Sequence, residues 1–142
     1  MNIEEIEILL IDDSPEDTDL AVRALRKYHL ANKLNCFKDG SEALNFLLQR
    51  TEKDADIAST MLILLDLNMP TMGGLEFIRS IKGYERTKHI PIVLLTSTTK
   101  LPDIKESLRM GVKCYVPKPI DFEDIARIAT ELGFSLKLIE AN

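Results

Sequence analysis

Short apolar runs alternate along the chain with segments in which apolar residues recur every three or four positions. Continuous apolar runs of this length are typical of strands that are buried on both faces, and the longer spacing is typical of amphipathic helices. The runs predict five strands, over Ile6–Ile11, Lys33–Phe37 (the weakest), Met61–Leu67, Ile90–Thr96 and Lys113–Val116.

Helical stripes separate these strands and follow the last of them. The second helix starts after the Asp39-Gly40 turn signal, and the fourth runs from Pro102 to a stop at Gly111. The predicted inward positions of the five helices are Ala21, Ala24, Leu25 and Tyr28; Leu44, Leu47 and Leu48; Leu75, Ile78 and Ile81; Ile104 and Leu108; and Ile125, Ile128, Ala129 and Leu132.

Strands alternating with helices predict an α/β fold with a parallel sheet and helices on two faces. The small doubly wound arrangement for five strands is flavodoxin-like, with order 2-1-3-4-5 and right-handed crossovers. A length of 142 residues suits a single domain over 1–142. In this fold a ligand site is expected at the carboxyl ends of strands one and three, where the strand order reverses.

Two segments leave alternatives open. Residues 49–60 are polar and long for a connection between a helix and a strand, so they either extend the second helix or form a surface loop. The tail over 133–142 either continues the last helix or leaves it at Gly133.

Reactive side chains follow the strands at the edge where a ligand site is expected. Asp12 and Asp13 end strand one, Asp66 ends strand three, Thr96 ends strand four, and Lys118 follows strand five. Converging carboxylates repel one another, and a bound divalent cation removes that penalty. Oxygen ligands without Cys or His favour a hard ion, Mg²⁺ before Ca²⁺, with waters or a substrate phosphate completing its coordination.

A cation beside a lysine and a hydroxyl makes a site for phosphoryl oxygens. Phosphoryl transfer needs an in-line nucleophile and neutralisation of the equatorial oxygens. Asp66, central in the predicted sheet, is the natural nucleophile because carboxylates form phosphoryl intermediates. Lys118 is a point charge suited to phosphate.

The acidic residues after Asp13 have an ordinary explanation. Ser14 is predicted to cap the first helix, with Pro15 at its first position and Asp17 closing a capping box. Asp17, Glu16 and Asp19 are therefore assigned to the cap and to a solvated face, and the pair at 12 and 13 is left without a structural role.

Composition excludes several function classes. A net charge of −5 and a pI of about 5.1 argue against broad affinity for nucleic acid or anionic lipid. No apolar stretch approaches the roughly 18 residues of a membrane span, and the acidic N-terminus is unlike a secretory signal, so a cytoplasmic protein is expected. Cys36 and Cys114 are expected to be reduced thiols in or near strands.

Four motifs in order resemble a response-regulator receiver domain, the phosphoacceptor module of two-component signalling. They are "LLIDDS", "LLDLNMPTMGGLEFI", "IPIVLLTST" and "YVPKP", and they cover essentially the whole chain. Pro70 and Gly74 lie four and eight residues after Asp66, Thr96 lies 30 after Asp66, and Lys118 lies 22 after Thr96. Four motifs at these intervals are a specific signal.

The resemblance implies a metal-assisted phosphorylation site. Asp66 is the phosphorylated residue, Asp13 and Asp66 ligate Mg²⁺ directly together with the backbone carbonyl of Asn68, and Asp12 acts through water. Lys118 contacts the phosphoryl group.

The resemblance also implies a switch. The peptide bond to Pro119 is cis, Thr96 swings its hydroxyl toward the phosphoryl oxygen, and Tyr115 turns from exposed to buried. A half-buried strand aromatic is the plainer interpretation of Tyr115. Asn68 and Thr98 are expected to tune the access of water to the site.

Two departures from the family pattern are expected to have small effects. Gly73, before Gly74, is expected to loosen the start of the third helix. Pro117 lacks a backbone donor, so an irregular end is expected for strand five.

The resemblance implies a signalling protein, not an enzyme, that catalyses only its own phosphorylation and dephosphorylation. No output domain is expected, so the partners implied are a sensor histidine kinase or phosphotransfer protein, with a homodimer allowed through helix four, strand five and helix five, around Ile104–Arg109, Tyr115 and Asp121–Leu132. The segment "DDSPEDTDLAVRAL", the long spacer and the tail resemble regulators paired with bacteriophytochrome-type kinases.

Three alternatives remain. The chain could serve a relay without a phytochrome, or be a scaffold that works without phosphorylation. A phosphatase of the haloacid dehalogenase type also places its reactive residues at the ends of parallel strands. Its D-x-D motif, however, is replaced here by adjacent acids, and Asn68 occupies the position at which a general acid is required.

Overall fold

The computed structural model describes residues 5–51, 60–67, 73–96 and 101–133, in which strands and helices alternate. The elements, in chain order, are β1 (Glu7–Ile11), α1 (Pro15–Lys27), β2 (Leu34–Phe37), α2 (Gly40–Thr51), β3 (Met61–Asp66), α3 (Gly74–Lys82), β4 (Ile92–Thr96), α4 (Leu101–Arg109), β5 (Cys114–Pro117) and α5 (Phe122–Leu132).

The five strands form one parallel sheet in the order β2-β1-β3-β4-β5, which confirms the predicted doubly wound arrangement. The register pairs Ile11 with Leu65, Asp66 with Leu95, and Thr96 with Pro117. The carboxyl ends of β1, β3, β4 and β5 therefore lie along one edge of the sheet, where the polar side chains follow.

The core consists of two layers, one on each face of the sheet. Leu9, Ile11, Ile63 and Leu65 pack on one face against helices α2, α3 and α4, and their alternate neighbours pack on the other against α1 and α5. Every residue of β3 is buried. Both faces of the central strands are covered, which is why these strands read as continuous apolar runs in the sequence.

All but two of the predicted inward positions of the helices pack into these layers. Leu48 is half-buried and is not among the described members of either layer. Leu108 was predicted to face inward, but its residue surface is 41% exposed. Helix α4 buries Ile104 and Ser107 instead, three positions apart, and the Ser107 hydroxyl donates to the Asp103 carbonyl at 2.8 Å. Leu108 lies one residue, about 100°, further around the helix, and reaches solvent.

The end of β5 is regular, contrary to expectation. The Lys118 N–H donates to the Thr96 carbonyl at 2.9 Å, which continues the ladder with β4 past Pro117. Alternate residues of a parallel strand direct their N–H groups to opposite sides, so the nitrogen of Pro117 lies on the outer edge of the sheet. There its missing donor removes no ladder bond.

The boundaries of two helices resolve part of what the sequence left open. Helix α2 reaches Thr51, and residues 52–59 lie outside the described part of the chain. Helix α5 ends at Leu132, and Gly133 follows in the left-handed conformation with φ of 74°. This is the usual stop for a helix; residues 134–142 are not among those described.

Both cysteines are on strands and unbridged, as predicted. Cys36 lies on β2 and Cys114 on β5. Burial raises the pKa of each thiol, and nearby arginine charges oppose this only in part. Within the described ranges, no helix has the length and apolar character needed to cross a bilayer.

The residue in the left-handed conformation after α1 is a histidine, which is less favourable there than glycine. His29 has φ of 60°, the Leu30 N–H donates to the Leu25 carbonyl at 2.8 Å, and the His29 N–H donates to Arg26 at 3.1 Å. This pair of bonds forms a Schellman motif, in which glycine is preferred at the left-handed position.

We expect His29→Gly to raise the free energy of unfolding by about 0.5–1 kcal/mol, because it removes a Cβ that is disfavoured in the left-handed region. The larger loss of chain entropy when glycine folds offsets part of this gain. Urea unfolding measures the change. His29→Ala is the control, since it removes the imidazole and keeps the Cβ; an equal gain from alanine would show that the backbone is not the cause.

Candidate functional site

Asp12 and Asp13 follow β1 at the edge of the sheet. The Asp12 N–H donates to the Phe37 carbonyl at 2.9 Å, so this buried residue extends the ladder with β2. Its Oδ1 accepts a hydrogen bond from the Ser14 N–H at 3.0 Å. Asp12 therefore has a structural role in the turn into α1, which was not predicted from the sequence.

Asp66 ends β3 and is buried. The chain after it is held against the start of α3, because the Gly74 N–H donates to the Leu67 carbonyl at 3.1 Å. A Cβ on Gly74 would lie 2.6 Å from the Leu67 Cα and 3.1 Å from the Asp66 carbonyl oxygen. Gly74 thus permits a close backbone approach that fixes the position of Asp66.

The carboxylates of Asp12, Asp13 and Asp66 form one cluster. Each offers an oxygen, and these three oxygens lie within 4.8 Å of one another. Three close anions with no Cys or His among them fit a hard divalent cation, which offsets their repulsion. Asn68, predicted to add a carbonyl ligand, lies outside the described residues, as does Thr98.

Lys118 brings its ammonium to the same cluster. The Lys118–Pro119 peptide bond is cis, as predicted, and only 11% of the Lys118 side chain is exposed. Its Nζ lies 2.7 Å from Asp12 Oδ2, 3.0 Å from Asp17 Oδ2 and 3.6 Å from Asp66 Oδ2.

The pKa of Lys118 reflects opposing effects. Burial is the largest single influence and lowers it, but the hydrogen bonds to Asp12 and Asp17 and the charges of Asp66 and Asp12 together outweigh burial. The pKa is therefore raised above its ordinary value, and the ammonium stays protonated at neutral pH. A fixed cation at this position can contact an anionic group on Asp66.

Asp17 is a member of this site, although its spacing from Ser14 predicts a role in the helix cap. Ser14 does cap α1, because its Oγ accepts from the Asp17 N–H at 3.2 Å. The Asp17 carboxylate, however, contacts Lys118, and the Ser14 N–H is taken by Asp12. The predicted capping box was wrong. The available signal was position: α1 starts directly after β1, so its first turn lies over the same sheet edge.

Thr96 and Tyr115 lie at different depths. Thr96 is buried at the end of β4, the strand beside β3, so its position faces the edge that carries Asp66. Tyr115 lies on β5, two residues before the strand ends, and is 43% exposed. Its carbonyl accepts a hydrogen bond from Arg127 Nη2 at 2.9 Å. Tyr115 is thus an exposed aromatic on the edge strand β5, whereas Thr96 is buried within the sheet.

A pocket of about 170 Å³ opens beside the Lys118 ammonium. Asp12 and Asp17 line it on the polar side, and its apolar lining comes from Leu20, Ala21, Leu95, Pro119 and Ile120. The charged cluster is therefore bordered by an apolar wall that includes the exposed Leu20 of α1.

Comparison with known proteins agrees with this geometry. The family model for the response regulator receiver domain matches residues 8–130. Response regulator Rcp1 of Synechocystis is 34% identical over 121 residues, covering 85% of this chain and 82% of that protein. A probable methanogenesis regulatory protein, FilR2 of Methanothrix harundinacea, is 32% identical, covering 88% of this chain and 79% of its own.

Solved structures give the same result. The bacteriophytochrome response regulator AtBRR superposes with a TM-score of 0.77 at 35% identity, covering 96% of this chain and 98% of its own. The Mn²⁺-bound form of Rcp1 superposes with a TM-score of 0.69 at 31% identity, covering 96% and 99%. The fold, the acidic cluster and the family match agree, and the chain belongs to the response-regulator receiver domains of two-component signalling.

Proposed function

We propose that the chain is a phosphoacceptor switch in which Asp66 takes a phosphoryl group from a histidine kinase or a phosphotransfer protein. The observation that carries this proposal is the cluster of three carboxylates within 4.8 Å, with the Lys118 ammonium 3.6 Å from Asp66. Asp66 is the nucleophile because it alone of the three ends the central strand β3, between β1 and β4.

The transfer requires one bond to form and one to break. A carboxylate oxygen of Asp66 attacks the phosphorus in line, the new P–O bond forms, and the P–N bond to the donor imidazole breaks. The electron pair of that bond leaves with the imidazole nitrogen. Burial of Asp66 and of the Thr96 position beside it limits the access of water to the product.

The side chains at the cluster fit Mg²⁺, as the Mn²⁺-bound structure of the relative Rcp1 supports. Asp13 and Asp66 would hold the cation directly, Asp12 through water, and the carbonyl of Asn68 would be a further ligand. When bound, the cation neutralises charge on the phosphoryl oxygens. Lys118 provides the second positive charge and contacts the phosphoryl group.

The conformational change caused by phosphorylation of Asp66 then reaches the outer face through Thr96 and Tyr115. The Thr96 hydroxyl turns toward the phosphoryl oxygen, and the exposed Tyr115 ring turns inward. The face formed by α4, β5 and α5 exposes Leu101, Leu108 and Tyr115, an apolar group suited to a partner or to a second copy of the chain. Switching of this face would control partner binding or dimerisation.

We propose a kinase of the bacteriophytochrome type as the phosphoryl donor. The support is the similarity to the bacteriophytochrome response regulator AtBRR over almost the full length of both chains. A relay without a phytochrome and a scaffold that works without phosphorylation are the alternatives. The protein would catalyse only its own phosphorylation and dephosphorylation.

Incubation with acetyl phosphate and Mg²⁺ tests the proposal. We expect the intact mass to rise by one phosphoryl group, and EDTA to abolish the rise, because the three carboxylates repel a phosphoryl donor when no cation offsets their charge. No mass gain with Mg²⁺ present would contradict the proposal. Steady turnover of p-nitrophenyl phosphate would instead favour a phosphatase.

A further inference from the structure

The hydrogen bonds of the Lys118 ammonium go to residues other than Asp66 in this structure. Nζ forms hydrogen bonds to Asp12 at 2.7 Å and to Asp17 at 3.0 Å, while the 3.6 Å to Asp66 exceeds hydrogen-bond distance. An ammonium has three donors. Two of them are directed at Asp12 and Asp17, so Asp66, the residue that receives the phosphoryl group, lies at ion-pair distance from the lysine but is not hydrogen-bonded to it.

We propose that Asp17 is a positioning residue, which holds Lys118 in this resting position and must release it before Lys118 can contact a phosphoryl group. This inference rests on the proposed function of Asp66 and assigns a new role to α1. Phosphorylation then breaks the contact between Asp17 and Lys118, and loss of that contact is part of the free-energy change between the resting and the phosphorylated states.

The two carboxylates that hold Lys118 differ in what else they do. Asp12 belongs to the acidic cluster and also accepts the Ser14 N–H, so its position is fixed with or without the lysine. Asp17 projects from the first turn of α1 and its side chain is 36% exposed, whereas that of Lys118 is 11% exposed. Asp17 is the partner that can turn to water when the ammonium moves, where the helix N-terminus stabilises its free charge.

The position of Asp17 gives the release a consequence on the protein surface. Leu20 lies three residues further along α1, on the same side of the helix, and both residues line the pocket next to Lys118. When Lys118 leaves Asp17, the charge and the lining of this α1 surface change. The phosphorylation state is thereby signalled on α1, on the opposite face of the sheet from α4.

Beryllofluoride, a phosphoryl mimic, tests the proposal with Mg²⁺ at a fixed saturating concentration. We expect Asp17→Asn to bind it about fivefold more tightly than the wild type, since the mimic no longer competes with Asp17 for the ammonium. Glu16→Gln is the matched control: it removes the same charge from the same first turn, at an exposed side chain. We expect it to leave the affinity at the wild-type value.

Each result has a defined meaning. Weaker or unchanged binding by Asp17→Asn would overturn the proposal, and an equal gain from Glu16→Gln would overturn it in favour of a general charge effect. Failure of the wild-type protein to bind beryllofluoride would contradict the proposed function itself, so the two hypotheses fail in different ways.

A second measurement requires no metal and no phosphoryl mimic. A double-mutant cycle of Asp17→Asn and Lys118→Met, followed by urea unfolding in EDTA, isolates the coupling between the two side chains. We expect the two changes to be non-additive by about threefold or more in the unfolding equilibrium constant. Additive effects would show that the pair is not formed in solution and would overturn the proposal.

Discussion

Replacing Asp66 with asparagine is expected to abolish the phosphoryl mass gain with acetyl phosphate and Mg²⁺. The amide lacks the anionic oxygen that attacks phosphorus, and it removes one of the three carboxylates that fit the cation. The side chain keeps its size, so the buried end of β3 stays filled. Intact-mass spectrometry over a time course measures the result, and we expect no phosphoryl group on the variant.

The control is Asp19→Asn. Asp19 lies on the exposed side of α1, where its carboxylate pairs with Arg23 at 3.1 Å, outside the acidic cluster. We expect this variant to gain a phosphoryl group as the wild type does. A gain that survives Asp66→Asn would falsify the assignment, and peptide mapping would then show whether Asp12 or Asp13 is the acceptor.

Gly74→Ala is expected to damage both the fold and the site. The added Cβ would lie 2.6 Å from the Leu67 Cα, an approach to backbone that cannot be relieved by rotating a side chain. Overpacking of this kind costs about 1–3 kcal/mol. Since the same segment carries Asp66, displacement by about 1 Å also lowers the phosphorylation rate, by up to about 100-fold. Urea unfolding and the mass time course measure the two effects.

The neighbouring glycine provides the contrast. Gly73 is the N-cap of α3, its φ is −61° and its cap lacks a side-chain hydrogen bond, while a Cβ there would meet no atom of the described residues within 4 Å. Gly73→Ser is therefore expected to raise the free energy of unfolding by up to about 0.5 kcal/mol, because serine supplies the missing cap. If the two substitutions destabilise equally, the close approach at Gly74 is not the reason.

The fold and most of the site could be predicted from the sequence, because they depend on the spacing of apolar residues and on the order of strands and helices along the chain. Apolar runs alternating with helical stripes specify a parallel sheet, and its strand order places the ends of β1 and β3 side by side. Asp12, Asp13 and Asp66 follow those strands directly, so their convergence follows from topology alone. Lys118 joins them because β5 ends at the same edge.

The wrong predictions for Asp17 and Leu108 concern side chains for which the sequence allows more than one environment. Asp17 has the right spacing to close a capping box with Ser14, and nothing local shows that Lys118, 101 residues away, provides a stronger partner. Leu108 was predicted inward from its apolar character, but Ser107 satisfies its own hydroxyl within α4 and can therefore be buried in its place. The first outcome depends on a tertiary contact and the second on a side-chain hydrogen bond within the helix, and the spacing of apolar residues encodes neither.

The outer edge of β5 limits how this face can associate. Its outward backbone groups include the Tyr115 carbonyl, which already accepts a hydrogen bond from Arg127, and the nitrogen of Pro117, which has no hydrogen to donate. An edge blocked in this way is a poor template for an added strand. A sheet that continues from one copy of the chain into the next is therefore disfavoured here. Association across β5 must rely on side chains, and such contacts can be made and broken by rotating them while the backbone stays in place.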